Sequence, residues 1–120
     1  HYAWFIRRKL DLIAMRSAIR YLIGTHDFKA FEGTGSPRSH TTRQVMTADL
    51  TESEDGFLIF TIEADGFLRF MVRNIVGTLV DVGLRKITPE AFREILGSKD
   101  RNNASATAPA HGLFLMEVKY

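Results

Sequence analysis

Apolar residues recur along the chain at the spacing of β-strands in some stretches and at the spacing of helices in others. Tyr2 to Ile6 is aromatic and β-branched, which is typical of a short strand. Val45 to Ser53 and Phe57 to Asp65 are predicted strands joined by the turn Glu54-Asp55-Gly56. Apolar and polar residues alternate again from Leu113 to Tyr120, which predicts a final strand.

Three other stretches repeat their apolar residues at the three- and four-residue spacing of an amphipathic helix. The first follows Asp11, a good N-cap residue, and is expected to stop at Gly24. The second spans residues 67–82. The third is short, with Thr88 as its N-cap and Gly97 at its end.

These elements follow the order strand, helix, strand, strand, helix, short helix, strand. This is the βαββαβ order of a ferredoxin-like domain, so the predicted fold class is α+β, with one extra short helix before the last strand. We expect an antiparallel sheet whose helices cover one face, a long loop over residues 25–43, and a single domain of 120 residues. RNA-recognition modules and many metabolic proteins share this topology, so the fold alone leaves the function open.

Composition excludes several classes of protein and of site. The chain is 45% apolar and 25% charged, and no apolar run approaches the roughly 18 residues of a membrane span, so no membrane association is expected. It has no cysteine, and its four histidines lack the spacing of metal ligands, so no metal site is expected. The start of the chain does not resemble a signal peptide, which favours a cytoplasmic location.

Charge is unevenly distributed, although the net charge is only +2. Residues 1–43 carry eight bases against three acids, residues 44–66 carry six acids and no base, and residues 67–120 carry eight bases against five acids. Such blocks are consistent with simple solubility, or with a polyanion that contacts the basic blocks while the acidic segment faces away. Arg7 and Arg8 form part of a short basic run in the first block.

Two further groups of basic residues could bind phosphate. Arg69 and Arg73 are four residues apart in the predicted helix 67–82, where a mid-helix glycine signals a close approach; they are either solvated or held for an ion pair or a phosphate. Arg38, His40 and Arg43 lie in a loop rich in hydroxyl residues and free of acids. That density of donors matches phosphate contacts, although a solvated loop would have the same composition.

Three apolar residues, Phe28, Phe31 and Leu113, have two interpretations each. Phe28 and Phe31 in HDFKAF either belong to the core, which we favour, or stack on bases. Leu113, at the start of the last strand, is either core or the wall of a pocket. His26 beside Asp27 resembles half of a catalytic pair, but no nucleophile lies nearby in the sequence.

The motifs together resemble one family. YAWFI, GTHDFKAF, TTRQV, FLRFMVRNIVGTLVDVG and KDRNNASATAPAHGLFLMEVKY occur in an order and spacing similar to those of the C-terminal half of the TruA-type tRNA pseudouridine synthases. The resemblance covers essentially the whole chain, and its most specific motifs are MVRNIVG and TAPAHGLFL.

The resemblance implies an enzyme that isomerises uridine to pseudouridine in the anticodon stem-loop of tRNA, without metal or organic cofactor. It implies a homodimer of two-domain subunits, with the active site between the two halves and a flipped target base. In the family, an aspartate in an RTDxGVHA-like motif of the N-terminal half attacks the uridine. No such motif occurs in these residues, so the chain is expected to be one half of a synthase and inactive by itself.

The resemblance also assigns roles to residues. Arg73 matches the arginine that pairs with the catalytic aspartate, and Leu113 matches the apolar residue that packs against the target base. The residues expected to bind RNA are Arg7, Arg8, Arg38, His40, Arg43 and Arg69. The sequence departs from the family pattern at Arg85 and at Ser105, where many members have glycine, which puts the shape of those loops in doubt.

Two alternatives remain open from the sequence. One is a stand-alone RNA-binding module of RNA-recognition topology without catalysis, although the aromatic string typical of those modules is absent. The other is a small metabolic or interaction domain that only shares the common topology.

Overall fold

The computed structural model describes residues 2–7, 10–33, 40–68, 70–101, 104 and 114–119. The strands are β1 (Tyr2–Arg7), β2 (Gly24–Asp27), β3 (Thr42–Glu52), β4 (Leu58–Ala64) and β5 (Phe114–Lys119). The helices are α1 (Leu12–Ile19), α2 (Met71–Gly83) and α3 (Pro89–Ser98), and short 3-10 helices cover Arg20–Leu22 and Lys29–Phe31. No helix in these ranges is long and apolar enough to cross a membrane.

The strands form one antiparallel sheet in the order β2-β3-β4-β1-β5. Four of them, β3-β4-β1-β5, have the arrangement of a ferredoxin-like domain, so the predicted βαββαβ topology is confirmed. The fifth, β2, corrects the prediction of a continuous loop over residues 25–43. Its residues are polar and do not alternate, and it forms because it can pair with the first residues of β3.

One face of the sheet forms the core together with the three helices. Alternate residues of β4 (Leu58, Phe60 and Ile62) are buried, whereas Glu63 between them and the end of the strand is exposed. The core continues into the helices through side chains such as Met15, which is fully buried. The prediction that the helices cover one face of the sheet is therefore confirmed.

Helix α1 begins where the sequence predicted and ends earlier. Asp11 Oδ1 accepts a hydrogen bond from the Ala14 N–H at 3.1 Å, as expected of an N-cap. The α-helix ends at Ile19 and tightens into a 3-10 turn. Gly24 does not stop the helix but opens β2 with a φ of 104°, a left-handed conformation that favours glycine.

Helix α2 begins at Met71, four residues later than the apolar spacing predicted. Phe70 precedes it with a φ of 58°, so the helical backbone cannot extend further toward the N-terminus. The helix includes Arg73, whereas Arg69 lies outside the described residues. At the other end, a Cβ on Gly83 would lie 2.6 Å from Met15 Sδ and 2.9 Å from Leu10 Cβ, so α1 and α2 approach closely there.

Two connections were predicted correctly. Thr88 Oγ1 accepts from the Ala91 N–H at 3.0 Å and caps α3. In the β3–β4 hairpin, Gly56 adopts a φ of 83°, and its N–H donates to Ser53 O at 3.1 Å.

The outer edge of β3 is only partly covered. β2 pairs with residues 42–45, and the rest of β3 continues beyond it. Arg16 of α1 reaches this part of the strand, and its Nε and Nη2 both donate to Leu50 O at 3.2 Å. The Arg16 side chain thus occupies a backbone acceptor that no described strand on that side of β3 uses.

Candidate functional site at the start of α2

Arg73 lies in the first turn of α2, and its side chain is exposed. In the part of the chain that the structure describes, no hydrogen bond or ion pair engages its guanidinium. The first turn contains no acidic residue, and the N-cap residue makes no side-chain hydrogen bond. A cation at this end of a helix is unfavourable by roughly 0.3–1 kcal/mol, because the N-terminus already carries partial positive charge. An anion that approached this turn would be attracted by the guanidinium of Arg73 and by the partial positive charge of the helix N-terminus.

Phe70 carries backbone strain next to this turn. Its left-handed φ of 58° costs a non-glycine residue on the order of 1 kcal/mol, and its side chain is 48% exposed. The Asn74 N–H donates to Phe70 O at 2.9 Å, so the strained residue is tied to the helix that follows it. Strain of this kind recurs where a backbone must present particular groups.

Asn74 is the buried polar residue of this region, with only 2% of its surface exposed. All four of its polar groups form hydrogen bonds. Its side-chain Nδ2 donates to Phe31 O at 2.7 Å, and its Oδ1 accepts from Arg101 Nη2 at 3.2 Å. Its main-chain N–H bonds to the residue before the helix, and its carbonyl accepts from Thr78 Oγ1 at 2.9 Å. Because a carbonyl only accepts and a guanidinium only donates, these partners fix the orientation of the amide.

Arg101 joins this network from the segment after α3. Its Nη1 donates to Ala104 O at 3.2 Å, while its Nη2 donates to Asn74. Its Nε is buried and has no hydrogen-bond partner among the described residues. Neither Arg101 nor Asn74 was predicted as a site residue from the sequence. The available signal was that Asn74 interrupts the apolar run around Arg73, where a buried polar side chain needs partners.

His40 and Arg43 lie near the start of β3. Arg43 Nη1 donates to Thr42 O at 2.8 Å and to His40 O at 3.1 Å. A Cβ added to Gly66 would lie 3.3 Å from Arg43 Nε, so the side chain passes close to that glycine. His40 is exposed, and its Nδ1 lies 3.4 Å from the same Nη1. One guanidinium nitrogen of Arg43 therefore holds the local backbone.

The pairing of β3 with β4 brings these residues to the same end of the sheet as Arg73. Gln44 and Asp65 exchange two hydrogen bonds, from the Gln44 N–H to Asp65 Oδ1 at 2.8 Å and from the Asp65 N–H to Gln44 O at 3.0 Å. The segment that leads into α2 starts at Asp65. The acids at the β3–β4 turn, Glu54 and Asp55, are exposed at the opposite end.

The remaining predicted site residues are not assembled with Arg73 by the described chain. Arg7 ends β1, and its backbone pairs with Phe114, the first residue of β5. That end of β1 lies near the end of α2, because the Asp11 N–H donates to Gly83 O at 2.9 Å. The start of β5 and the start of α2 are thus at opposite ends of the sheet. Arg8, Arg38, Arg69 and Leu113 lie outside the described residues.

The HDFKAF segment is structural, as favoured from the sequence. Phe28 and Phe31 are fully buried, which rules out stacking on bases, and Phe31 stacks on Phe92 with a centroid distance of 5.7 Å. His26 Nε2 lies 2.9 Å from Ile23 O. Asp27 Oδ1 accepts from Thr41 Oγ1 at 2.6 Å and from the Lys29 N–H at 3.0 Å. Within the described ranges, no three His, Cys, Asp or Glu side chains are grouped as metal ligands.

The environment of Asp27 gives a testable dependence of stability on pH. Partial burial disfavours its charged form, but the hydrogen bonds from Thr41 and Lys29 outweigh this and lower its pKa below the ordinary value of 3.8. Since the folded-state pKa is depressed, the stabilisation is present above pH 3.8 and is lost as the pH falls below that value.

Thr41→Val in the full-length protein should therefore lower the free energy of unfolding near neutral pH by about 1 kcal/mol. The difference from the wild type should shrink as the pH falls below 3.8, because protonation of the Asp27 carboxylate removes the charge that the Thr41 hydroxyl stabilises. Urea unfolding followed by circular dichroism at the two pH values measures this. An equal difference at both would show that the hydroxyl acts through packing alone.

Comparison with known proteins agrees with the motifs. The family model described as tRNA pseudouridine synthase matches residues 18–120. The chain is 48% identical over 119 residues to tRNA pseudouridine synthase A of Moorella thermoacetica, covering 99% of this chain and 48% of that protein. It is 48% identical to the protein of the same name from Thermoanaerobacter sp., covering 100% and 49%.

A third relative, tRNA pseudouridine synthase A of Thermotoga petrophila, is 43% identical over 119 residues, with 99% of this chain and 48% of that protein covered. The chain thus spans about half the length of the curated relatives it matches. The matching model covers most of the chain, including Arg73 and the Asn74–Arg101 network. The chain belongs to the tRNA pseudouridine synthase family.

Proposed function

We propose that this chain is the C-terminal half of a tRNA pseudouridine synthase and forms one wall of its active-site cleft. The observation that carries the proposal is Arg73, exposed in the first turn of α2 and unengaged by any described residue. The proposal is also supported by family membership and by the length of the relatives, which leaves room for a second half of similar size.

The reaction rearranges bonds within one nucleotide. The N1–C1′ glycosidic bond of uridine breaks, the base turns, a C5–C1′ bond forms, the proton on C5 leaves, and N1 takes up a proton. No electron is gained or lost, so the reaction itself needs no redox cofactor. A nucleophilic carboxylate from the other half of the enzyme begins the reaction, and it must be ionised to act.

Arg73 would keep that carboxylate ionised. A guanidinium opposite a carboxylate in a partly dry cleft favours the charged form and lowers the carboxylate pKa. Its planar pair of donors also fixes the direction of the carboxylate oxygens. The helix N-terminus beneath Arg73 adds to the attraction, which explains why a cation at an unfavourable helix position is compatible with function.

The other predicted residues have proposed roles in the full-length enzyme. Leu113 packs against the target base. The six RNA-binding candidates Arg7, Arg8, Arg38, His40, Arg43 and Arg69 contact the phosphates of the tRNA anticodon arm. The full-length enzyme acts in the cytoplasm as a homodimer, a state that sedimentation equilibrium measures directly.

The experiment uses the full-length protein and a tRNA transcript carrying tritium at carbon 5 of uridine. Since carbon 5 loses its hydrogen when it bonds to the ribose, turnover releases tritium into water without added metal or cofactor. The same transcript with cytidine in place of the anticodon-arm uridines is the control. Binding without tritium release would support a stand-alone RNA-binding protein instead.

Charge at the loop before β3 is expected to contribute to tRNA affinity. Arg38→Gln should weaken binding and reduce the slope of log affinity against log salt by roughly 0.7 to 0.9 if one phosphate contact is lost. Arg43→Gln should do the same, unless its bonds to Thr42 O and His40 O prevent the guanidinium from reaching a phosphate.

Filter binding at several salt concentrations measures these slopes. Arg93→Gln is the matched control, because Arg93 lies on α3 with its guanidinium over the Tyr21 ring at 5.6 Å. Slopes that equal the wild-type value for Arg38→Gln and Arg43→Gln would show that the loop is only solvated.

A further inference from the structure

We propose that Arg101 is a positioning residue, which holds the first turn of α2 so that Arg73 faces the incoming carboxylate. This inference rests on the proposed function, and it concerns a side chain 28 positions from Arg73 in the sequence. Arg101 reaches α2 through Asn74, the residue that follows Arg73.

The contacts of Asn74 act together with the buried side chains of Met71, Val72 and Ile75 in fixing how the start of α2 is rotated about the helix axis. Successive residues of an α-helix point about 100° apart, so fixing the direction of one side chain fixes that of its neighbour. Asn74 is held by Phe31 O on one side and by Arg101 Nη2 on the other, at 2.7 and 3.2 Å. With Asn74 directed into the protein, Arg73 is directed outward, which agrees with its exposure.

Arg101 connects three separate parts of the chain through this amide. Its Nη2 bonds to α2, its Nη1 bonds to Ala104 O in the segment that follows α3, and Asn74 passes the connection to the 3-10 helix at Lys29–Phe31. The two bonds leave from two different nitrogens of a planar group. A lysine has a single nitrogen on a flexible chain and cannot reproduce both with the same geometry.

The hydrogen-bond network of Asn74 and Arg101 stabilises the fold less than apolar packing at position 101 would. Arg101 Nε is buried without a partner among the described residues, and an unpaired buried donor lowers stability. An apolar side chain at position 101 would avoid this cost, but it would leave Asn74 Oδ1 without its donor Arg101 Nη2. The arrangement therefore favours geometry over stability.

Other charged side chains lie on the elements around this network. The segment from β2 through the 3-10 helix carries Asp27, Lys29 and Glu32, and the end of α3 carries Lys99 and Asp100. They are unchanged in Arg101 variants, so a shift in the pH profile of these variants reports on the altered orientation of Arg73 together with the lost charge at position 101.

The experiment compares Arg101→Met, Arg101→Lys and the control Arg93→Met in the full-length protein. Arg101→Met is expected to lower kcat on the order of 10- to 100-fold, as misplacement of a remote group by a fraction of an ångström does. KM for tRNA should change by less than about twofold, because the RNA-binding residues are elsewhere. Arg101→Lys, which retains the charge, should fall between the wild type and Arg101→Met.

The dependence of kcat on pH separates positioning from simple stability. A poorly oriented Arg73 lowers the carboxylate pKa less, so the acid limb of kcat should move to higher pH by up to roughly one unit in Arg101→Met. The limb should move in Arg101→Lys as well, where the charge is kept, and should stay in place in Arg93→Met. An unmoved limb in Arg101→Lys and Arg101→Met, or wild-type kcat in both, would overturn the inference.

Arg73→Lys, measured in parallel, distinguishes failure of this inference from failure of the proposed function. Wild-type kcat in Arg73→Lys would overturn the role proposed for Arg73 itself. A low kcat in Arg73→Lys with wild-type behaviour in both Arg101 variants would overturn only the positioning role. Should Arg101→Met not fold, Arg101→Lys still gives both readings.

Discussion

Arg73→Lys in the full-length protein is expected to lower kcat about 10²- to 10³-fold, the range found when one oriented donor to a developing charge is removed. Lysine keeps the positive charge, so the fall in kcat measures the effect of the guanidinium geometry alone. Its two parallel donors can hold both oxygens of a carboxylate, whereas an ammonium binds as a point charge. Binding of tRNA should be largely unaffected, since this side chain is proposed to face the nucleophile.

Single-turnover tritium release with excess enzyme measures this loss, and filter binding measures the affinity for tRNA. Arg93→Lys is the matched control, because it makes the same substitution on an exposed helix position away from the first turn of α2. Turnover near the wild-type rate in Arg73→Lys would remove Arg73 from the mechanism. An equal loss in tRNA affinity would instead assign Arg73 to RNA binding.

Gly83→Ala is expected to lower the free energy of unfolding by about 2 kcal/mol, in the range for overpacking a close contact. The added Cβ would lie 2.6 Å from Met15 Sδ and 2.9 Å from Leu10 Cβ. The methionine sulfur can move, but Leu10 Cβ is fixed to the backbone, so α1 and α2 must separate. In a protein of twice this length, that corresponds to a fall in Tm of roughly 4 to 8 °C.

Gly97→Ala is the matched control for this prediction. Gly97 lies within α3, and no atom outside its own neighbourhood comes within 4 Å of an added Cβ. Replacing glycine by alanine at such a helical position should raise stability by about 0.5 kcal/mol. Differential scanning calorimetry of both variants tests the pair, and a decrease of similar size in both would show that the contact with α1 is unimportant.

The elements that depend on local signals were predicted from the sequence. Asp11 and Thr88 cap their helices as expected, and the alternation in β4 gave the correct buried face. Strand β2 was missed because its four residues carry no alternation, and only pairing with residues 42–45 makes them extended. The start of α2 was misplaced because apolar spacing does not reveal that Phe70 is left-handed.

Of the candidate site, only residues that belong to a recognisable family motif were predicted from the sequence. Arg73 was identified by its resemblance to a family motif, and its role stays a prediction. The Asn74–Arg101 network could not be found from spacing, since its partners are 27 and 43 positions from Asn74 in the sequence. Where many family members have glycine, Arg85 of this chain adopts a φ of 61°, a left-handed conformation that glycine adopts more easily. The difference from the family pattern therefore leaves the backbone in a conformation suited to glycine.

The bond from Arg16 to the outer edge of β3 has a consequence for how copies of this protein behave when they are concentrated. Beyond β2, no described strand pairs with the outer edge of β3, so its backbone groups could pair with the same edge of another molecule and start an intermolecular sheet. Arg16 occupies Leu50 O from its own helix, and Asp49 and Glu52 place like charges along the strand. Two such edges would carry the same negative charges, and Leu50 O would already be engaged, so we expect Arg16 to disfavour pairing between the edges of two molecules.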